Sequence, residues 1–413
     1  MQSLTLKQLG ITGALVAAAM HGVAGLALPQ TSDSTSSSSE GSASEGVLGD
    51  VTKWGFAGSM LSVARSYIAA ASAGQYALFA GGRLQDSTYT DVVDIYDKST
   101  GKWTVAHLSS PRSSIGAGSV GGRYAVFAGG MDAEFKVVGT VDVFDAETGE
   151  WSTLDLHTPR GSPQVLDLGD RAAVVGGLSG DLQYLSKAVD YIDGSLTVTN
   201  ATLDLEYPQF GVGVADSARG MGLFTAGYQN NKPGERFNDF QASNQTTLFE
   251  ITDSASVSAS PGKLFPLPRW GAGGAAANGI FAIGGGHVFG DGTTEPLTTV
   301  TDRVDIYNAK KGAWNSEPVK MSVARDYPLV RAVGDYIVFL SGTEESKDFD
   351  VLDTRSGKFV RNLKHKPALY LQRSNAAAVT VDGCLLIVAG GEVYQGRNAT
   401  ASVEMFDACG SHY

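Results

Sequence analysis

A doublet of small residues follows an apolar run seven times along this chain: Gly81-Gly82, Gly129-Gly130, Gly176-Gly177, Ala226-Gly227, Gly285-Gly286, Ser341-Gly342 and Gly390-Gly391. Successive doublets stand 48, 47, 50, 59, 56 and 49 residues apart. Self-similarity at such a period marks a fold assembled from repeated supersecondary units, which can run long as a single domain. Glycine supplies 52 of the 413 residues without a collagen-like period, and only 18% of the chain is charged. Many short strands joined by tight turns explain that composition better than collagen or disorder does.

Each doublet sits among the same companions. Sixteen or seventeen residues upstream stands Arg65, Arg112, Arg160, Arg269, Arg325 or Arg373, with Gln209 in the fourth repeat. Downstream comes an alternating strand that ends in an acid or its amide: Val93-Asp94-Ile95-Tyr96-Asp97, Val141-Asp142-Val143-Phe144-Asp145, Val304-Asp305-Ile306-Tyr307-Asn308 and Val403-Glu404-Met405-Phe406-Asp407. Six residues after the terminal Asp or Asn stands a large aromatic, namely Trp103, Trp151, Trp314 or Phe359, beyond turn pairs such as Thr100-Gly101. Leu196 takes the aromatic's place in the third repeat, and the fourth is degenerate at Leu248-Phe249-Glu250-Ile251.

Over about residues 50–410 this pattern resembles the kelch-repeat family. The resemblance implies an all-β, seven-bladed β-propeller, one four-stranded blade per repeat around a central channel. Steric reasoning agrees with it. Strands converging on an axis need small side chains, and Ile68-Ala69-Ala70-Ala71, Gly271-Ala272-Gly273-Gly274-Ala275 and Asn375-Ala376-Ala377-Ala378 supply them. The outer aromatics then fill the widening gap between blades. The seventh repeat runs out after its third strand, so its fourth is expected from the N-terminus, at Val51-Thr52-Lys53-Trp54. That would remove the free edges of an open ring.

The two cysteines, Cys384 and Cys409, fall almost opposite one another across the expected last blade, because antiparallel partners share a constant sum of residue numbers. A disulfide is expected, in an oxidising compartment. Residues 1–28 read as a secretory signal: Lys7, an apolar stretch from Ile11 to Leu28, and small-x-small pairs ending at Ala24 and Ala27. Residues 29–49 form a Ser-rich linker, and the propeller occupies 50–413. A secreted or surface-associated protein follows, with no membrane span once the signal is removed. Sequons at Asn200, Asn244 and Asn398 are candidate glycosylation sites.

The net charge of −12 excludes the basic stripe that nucleic acid requires. Gly116-x-Gly118-x-x-Gly121 matches a dinucleotide fingerprint but lies in strand and turn, with no helix to meet a pyrophosphate. His287, Asp291 and Glu295 share one loop. A solvated polar loop explains them better than a metal site, and no metal or cofactor is expected.

The recurrent arginines, with Gln209, are the sharpest candidates for ligand binding. One per repeat would array them around one end of the channel, where guanidinium groups suit carboxylate or phosphate. Trp270 beside Arg269 would add a face for a sugar ring or peptide. The competing reading is that each Arg hydrogen-bonds loop carbonyls or pairs with its own repeat's Asp. Arg331, Asp167 and Asp216 are further channel candidates. The resemblance implies recognition of acidic peptides or other polar ligands at this face.

The expectation is therefore a monomeric binding protein for a glycan, an acidic peptide or a partner protein. Some propellers of this type resemble galactose oxidase, but its copper site needs a Cys–Tyr crosslink, a Tyr followed by His and a ligand from another domain. This sequence offers no Tyr-His dipeptide. An epimerase or mutarotase of the sialic-acid type, working with channel Arg and carboxylates, stays open, as does a structural role in a surface coat.

Overall fold

The apolar run before each doublet forms a strand buried along nearly its whole length. Tyr76–Ala80, Tyr124–Ala128 and Tyr336–Leu340 each expose only their first residue appreciably. A strand buried on both faces belongs in the middle of a layered stack of sheets. The computed structural model describes residues 55–180, 184–201, 205–229, 241–253, 256–289, 298–344, 346–361, 367–393 and 398–409. The expected signal, the Ser-rich linker and Trp54 lie outside these.

The described residues form antiparallel sheets and no α-helix. The first repeat makes a four-stranded meander, Ala69–Ala73, Tyr76–Ala80, Val92–Asp97 and Lys102–His107. The second repeats it with Gly116–Val120, Tyr124–Ala128, Thr140–Asp145 and Trp151–Asp155. Comparable sheets begin at the strands Gln164–Asp167, Gln209–Asp216, Gly273–Ala277, Leu329–Val333 and Ala377–Val381. Each of these first strands packs against the first strand of the neighbouring sheets, and Ala377–Val381 returns to Ala69–Ala73. The sheets therefore stand around an axis, and the arrangement fits a β-propeller.

Small residues on the inner strands follow from how close the sheets come. A Cβ on Gly116 would lie 2.5 Å from the Pro163 carbonyl oxygen, and one on Gly273 2.4 Å from that of Pro328. Further out, the core lies between sheets. Phe79 and Tyr96 of the first sheet pack with Val379, Ile387 and Met405 of the last, and Trp103 covers the edge of that cluster. Trp103 lies 5.1 Å from Tyr96, and Trp151 lies 5.4 Å from Phe144, centroid to centroid. Leu196, where the third repeat lacks its aromatic, packs in the same kind of gap beside Ile192 and Val143.

Closure comes from the N-terminal side, as expected. Gly55–Met60 pairs antiparallel with Ser402–Asp407 and becomes the outer strand of the last sheet, while residues 51–54 lie outside the described residues. Cys384 and Cys409 form the expected disulfide, with Cα atoms 5.4 Å apart, at the end of that sheet. Leu385 pairs with Asp407 in the adjacent register, and the Ala408 amide donates to the Cys384 carbonyl.

The arginine series goes inward. Arg65, Arg112, Arg160, Arg269, Arg325 and Arg373 are all 0% exposed. Each bonds the acid of its own repeat's third strand: Asp94, Asp142, Asp190, Asp305, Asp350 or Glu404. Arg65 Nη1 donates to Asp94 Oδ2 at 2.7 Å, while Nε and Nη2 reach the carbonyls of Gly81 and Phe79. Asp94 Oδ1 also accepts the amide of Ser62, and Asp142 Oδ1 that of Ser109, three residues before the Arg in each case. The fourth repeat replaces both partners together. Gln209 donates to the Ala226 carbonyl, and Thr247 stands opposite Phe224, where Asp94 stands opposite Phe79.

The doublets complete this lattice. Gly81 and Gly82 hold φ of 61° and 108°, a combination for which glycine is the default residue. The Gly82 amide donates to the Arg112 carbonyl of the next repeat, and the Gly391 amide closes the circuit onto Arg65. A side chain on Gly81 would meet the Arg112 carbonyl at 2.6 Å. Ala226 and Ser341 accept φ of 58° and 62° in the same position.

Removing one partner of a buried ion pair leaves the other charge unpaired, at about 3–5 kcal/mol. Asp142→Asn should therefore lower stability by that amount in urea titration, while Arg112→Met with Asp142→Leu should recover much of it. Replacing both cysteines by Ser should cost about 3 kcal/mol, and removing residues 1–60 should lower the melting temperature further by exposing the edge at Ser402–Asp407. Equal melting of truncated and full chains would refute closure by the N-terminal strand.

Candidate functional site

With the guanidinium groups of the series held inside their own sheets, the positively charged rim expected from Arg65, Arg112, Arg160, Arg269, Arg325 and Arg373 is not formed. Burial lowers the pKa of Arg65, Arg269 and Arg373, and their acid partners oppose the effect. Gln209 is 2% exposed and equally committed to a backbone carbonyl. The competing structural reading of these residues is the one the geometry matches. What the series does for a site is indirect, because it fixes the backbone from which the channel mouth is built.

That mouth is made by the residue two places after each Arg. Tyr67, Ser114, Ser162, Gly271, Tyr327 and Asn375 all adopt positive φ, between 45° and 67°. The Tyr67 amide donates to the Asn375 carbonyl, Ser162 to Ser114, and Tyr327 to Gly271. Neighbouring sheets are thus stitched at the rim. Tyrosine in the left-handed region is strained, and such strain concentrates at functional sites. Sequence reasoning passed over these residues. The signal available was a bulky residue, Tyr67 or Tyr327, at a repeat position that elsewhere carries Gly, Ser or Asn.

Below the rim lies a cavity of about 430 Å³ along the axis, walled by the inner strands. Its backbone walls are Ala- and Gly-rich, so few polar side chains reach it, chiefly Ser72, Ser119, Gln164, Asp167, Arg331 and Thr380. A second space of about 250 Å³ shares Gln164 and Arg331 with the first and opens past Phe210, Tyr228, Trp270 and Tyr327. A small polar chamber thus leads to an aromatic vestibule.

Arg331 is the cation in this system. Nε donates to the Ala378 carbonyl and Nη1 to that of Val330, each at 2.7 Å. Among the described residues Nη2 has no protein partner, and no carboxylate pairs with the group. Enclosure by protein lowers its pKa to about 10, still far above neutrality, so the charge persists. Asp167 also lines the chamber. Burial pushes its carboxyl up to about 6, against a partly compensating hydrogen bond from the Gly169 amide at 2.9 Å. Asp216, the third channel candidate, is buried in a turn, where it accepts the Gly279 amide at 2.7 Å and faces Arg219 at 3.4 Å. It takes no part in the chamber.

Trp270 was expected as an open platform and is instead 5% exposed. It stacks on His287 at 4.1 Å and 7°, with Tyr228 at 5.5 Å and Tyr327 edge-on at 5.8 Å. His287 Nε2 bonds Asp326 at 2.7 Å, while Asp291 and Glu295 lie outside the described residues. Among the described residues no three His, Cys, Asp or Glu side chains gather as a metal site. Tyr228 and Tyr327 have their hydroxyl pKa values raised, chiefly by burial, so they stay neutral and able to donate. Asn200 and Asn398 are exposed, and Asn244 is half-buried.

No protein-family model matches the chain, and no curated protein does. Among solved structures it is similar to that of YjhT, with a TM-score of 0.51 and 13% identity over 83% of this chain and 95% of that one. At that identity the likeness bears on fold alone. So widely used an architecture, matched by 930 solved chains, does not decide function. The chain is all-β, and its sheets and its structural neighbour fit a β-propeller fold.

Proposed function

We propose that this chain is a secreted, seven-bladed propeller of the kelch type that binds a small acidic ligand, a sugar acid or similar carboxylate, at the mouth of its channel. The sheets in the inner-strand circuit, one per doublet, support a count of seven blades. Secretion suits the Cys384–Cys409 bridge. The observation that carries the binding reading is Arg331, a charged group inside a cavity with donors unmatched by any carboxylate among the described residues. Ion pairs satisfy the six serial arginines, whereas Arg331 is left for a ligand. Tyr228 and Tyr327 line the vestibule with ring surface and polar edges, the combination that orients a pyranose, and Trp270, stacked between Tyr228 and His287, holds them in place.

Catalysis on the same ligand is the second reading, and Asp167 favours it. A carboxyl titrating near 6 suits general acid or base work at neutral pH. Accelerated exchange of anomeric protons in NMR, abolished by Asp167→Asn, would establish turnover in place of binding.

Calorimetry with galacturonic acid against galactose tests the main reading. The acid should bind and the neutral sugar should not, and Arg331→Met should weaken the acid by about thirtyfold, roughly the 2 kcal/mol of a charge-assisted contact. Unchanged affinity in that variant would overturn it. Asp167 sets the pH dependence. Its folded pKa of about 6 exceeds the ordinary 3.8, so the folded state holds the proton more tightly and stability declines as pH rises from about 4 to about 6. The decline is on the order of 2–3 kcal/mol, and Asp167→Asn should abolish it in urea titrations. The same neutralisation should make anion binding tighter below pH 6 than above it.

A further inference from the structure

Beside the channel mouth, between the first two repeats, lies a shallow cleft of about 90 Å³ lined by Tyr67, Arg83, Tyr89, Phe135 and the hydroxyl-bearing Ser113 and Ser114. Two loops shape it alike. In one, the Leu84 amide meets the Thr88 carbonyl and the Ser87 amide meets that of Leu84. In the other, Asp132 bonds Lys136 and Phe135 bonds Asp132 in the same way. The left-handed position of the turn is Ser87 in the first, at φ 72°, and Phe135 in the second, at φ 60°.

A phenylalanine in that conformation is costly for its own backbone, and this one is 55% exposed. Its ring meets Tyr89 edge-on at 6.2 Å and 78°. Local packing does not account for an exposed, strained aromatic at that place. Arg83 adds charge. Its Nη2 donates to the Ser87 hydroxyl at 2.6 Å, and among the described residues no carboxylate pairs with it.

The cleft stands beside the channel rim, sharing with it the rim residues Tyr67 and Ser114. Tyr67 walls it, and at the rim the Tyr67 amide donates to the Asn375 carbonyl while the Tyr67 hydroxyl accepts from Asn375 Nδ2 at 3.0 Å. One face thus carries two cation-and-aromatic sites in sequence, Arg331 with Tyr228, Trp270 and Tyr327, then Arg83 with Tyr67, Tyr89 and Phe135. A ligand with one carboxylate would leave the second site unused, and a chain with recurring carboxylates would engage both.

We infer that the ligand is an acidic oligosaccharide, a chain of uronic acid units with one ring in the vestibule over Arg331 and another in the cleft over Arg83. This rests on the channel reading above and extends it from a single sugar to a polymer. Hydroxyls beside aromatic rings in a shallow depression offer a pyranose both a ring face and hydrogen-bond partners.

Calorimetry of the whole protein with galacturonic acid, its dimer and its trimer, neutral oligomers of equal length, and a hexaglutamate peptide tests the inference. The dimer or trimer should bind at least tenfold tighter than the monomer, since a second linked contact adds avidity without new translational loss. Arg83→Ala and Phe135→Ala should remove that gain while leaving the affinity for monomer and the urea midpoint unchanged. Equal affinity for monomer and trimer, with the monomer still sensitive to Arg331→Met, would overturn the two-site inference and leave the channel reading standing. Trimer binding that Arg83→Ala abolishes and Arg331→Met spares would overturn both. Tighter binding of hexaglutamate than of trimer would overturn the sugar assignment.

Discussion

The fold depends on a guanidinium buried in the heart of each repeat. Arg65 ties the edge of its own sheet to Asp94 and to two backbone carbonyls, and its own carbonyl then accepts the amide of Gly391 from the neighbouring sheet. The same residue thereby holds its blade together and fastens it to the next. Burying a charge is unfavourable unless it is paired and its remaining donors are satisfied. Here the acid, the carbonyls and the small doublet meet those needs at once, so the arginine and its acid cannot be lost one without the other. The fourth repeat illustrates this, with Gln209 and Thr247 replacing Arg and acid as a pair.

A rigid frame of that kind permits strain at the rim. Tyr67 and Tyr327 adopt a backbone conformation that tyrosine disfavours, directly after residues locked by the lattice. The inner strands must be small because neighbouring sheets nearly touch, so side chains that can recognise anything are confined to the rim, to the loops beyond it and to rare inner positions such as Asp167 and Arg331. The recurrent arginines are committed to the acids of their own sheets, whereas Arg331 and Arg83 have no carboxylate partner among the described residues.

Much of the architecture was legible because repetition and register are arithmetic. Doublet spacing located the repeats, and the constant sum across antiparallel strands placed Cys384 beside Cys409. The closing strand was legible as an N-terminal contribution to an incomplete last repeat, and Gly55–Met60 makes its described pairs. The arginines were located correctly, and of the two readings open to them the structure matches pairing with the acid of their own repeat, not a channel rim. Spacing along a chain does not say whether a side chain points into the channel or back beneath its own sheet. The clue was the lone acid inside each apolar third strand, Asp94 or Asp142, which needed a buried cation. Asp167 and Arg331 were readable as polar groups within inner strands, but the Tyr67 and Phe135 positions depend on φ and could not be read from residue type.

The pairing of Gly55–Met60 with Ser402–Asp407 has a consequence for how the chain matures. Gly55–Met60 has no partner until the chain has been made through Asp407. Ring completion therefore waits for that segment, and until then the nascent protein carries an unsatisfied strand ahead of a growing open arc. Contacts that span the sequence in this way form slowly and leave edges vulnerable to wrong pairing. The Cys384–Cys409 bridge joins strands that pair without Gly55–Met60, so it can hold the receiving edge in register before that strand docks.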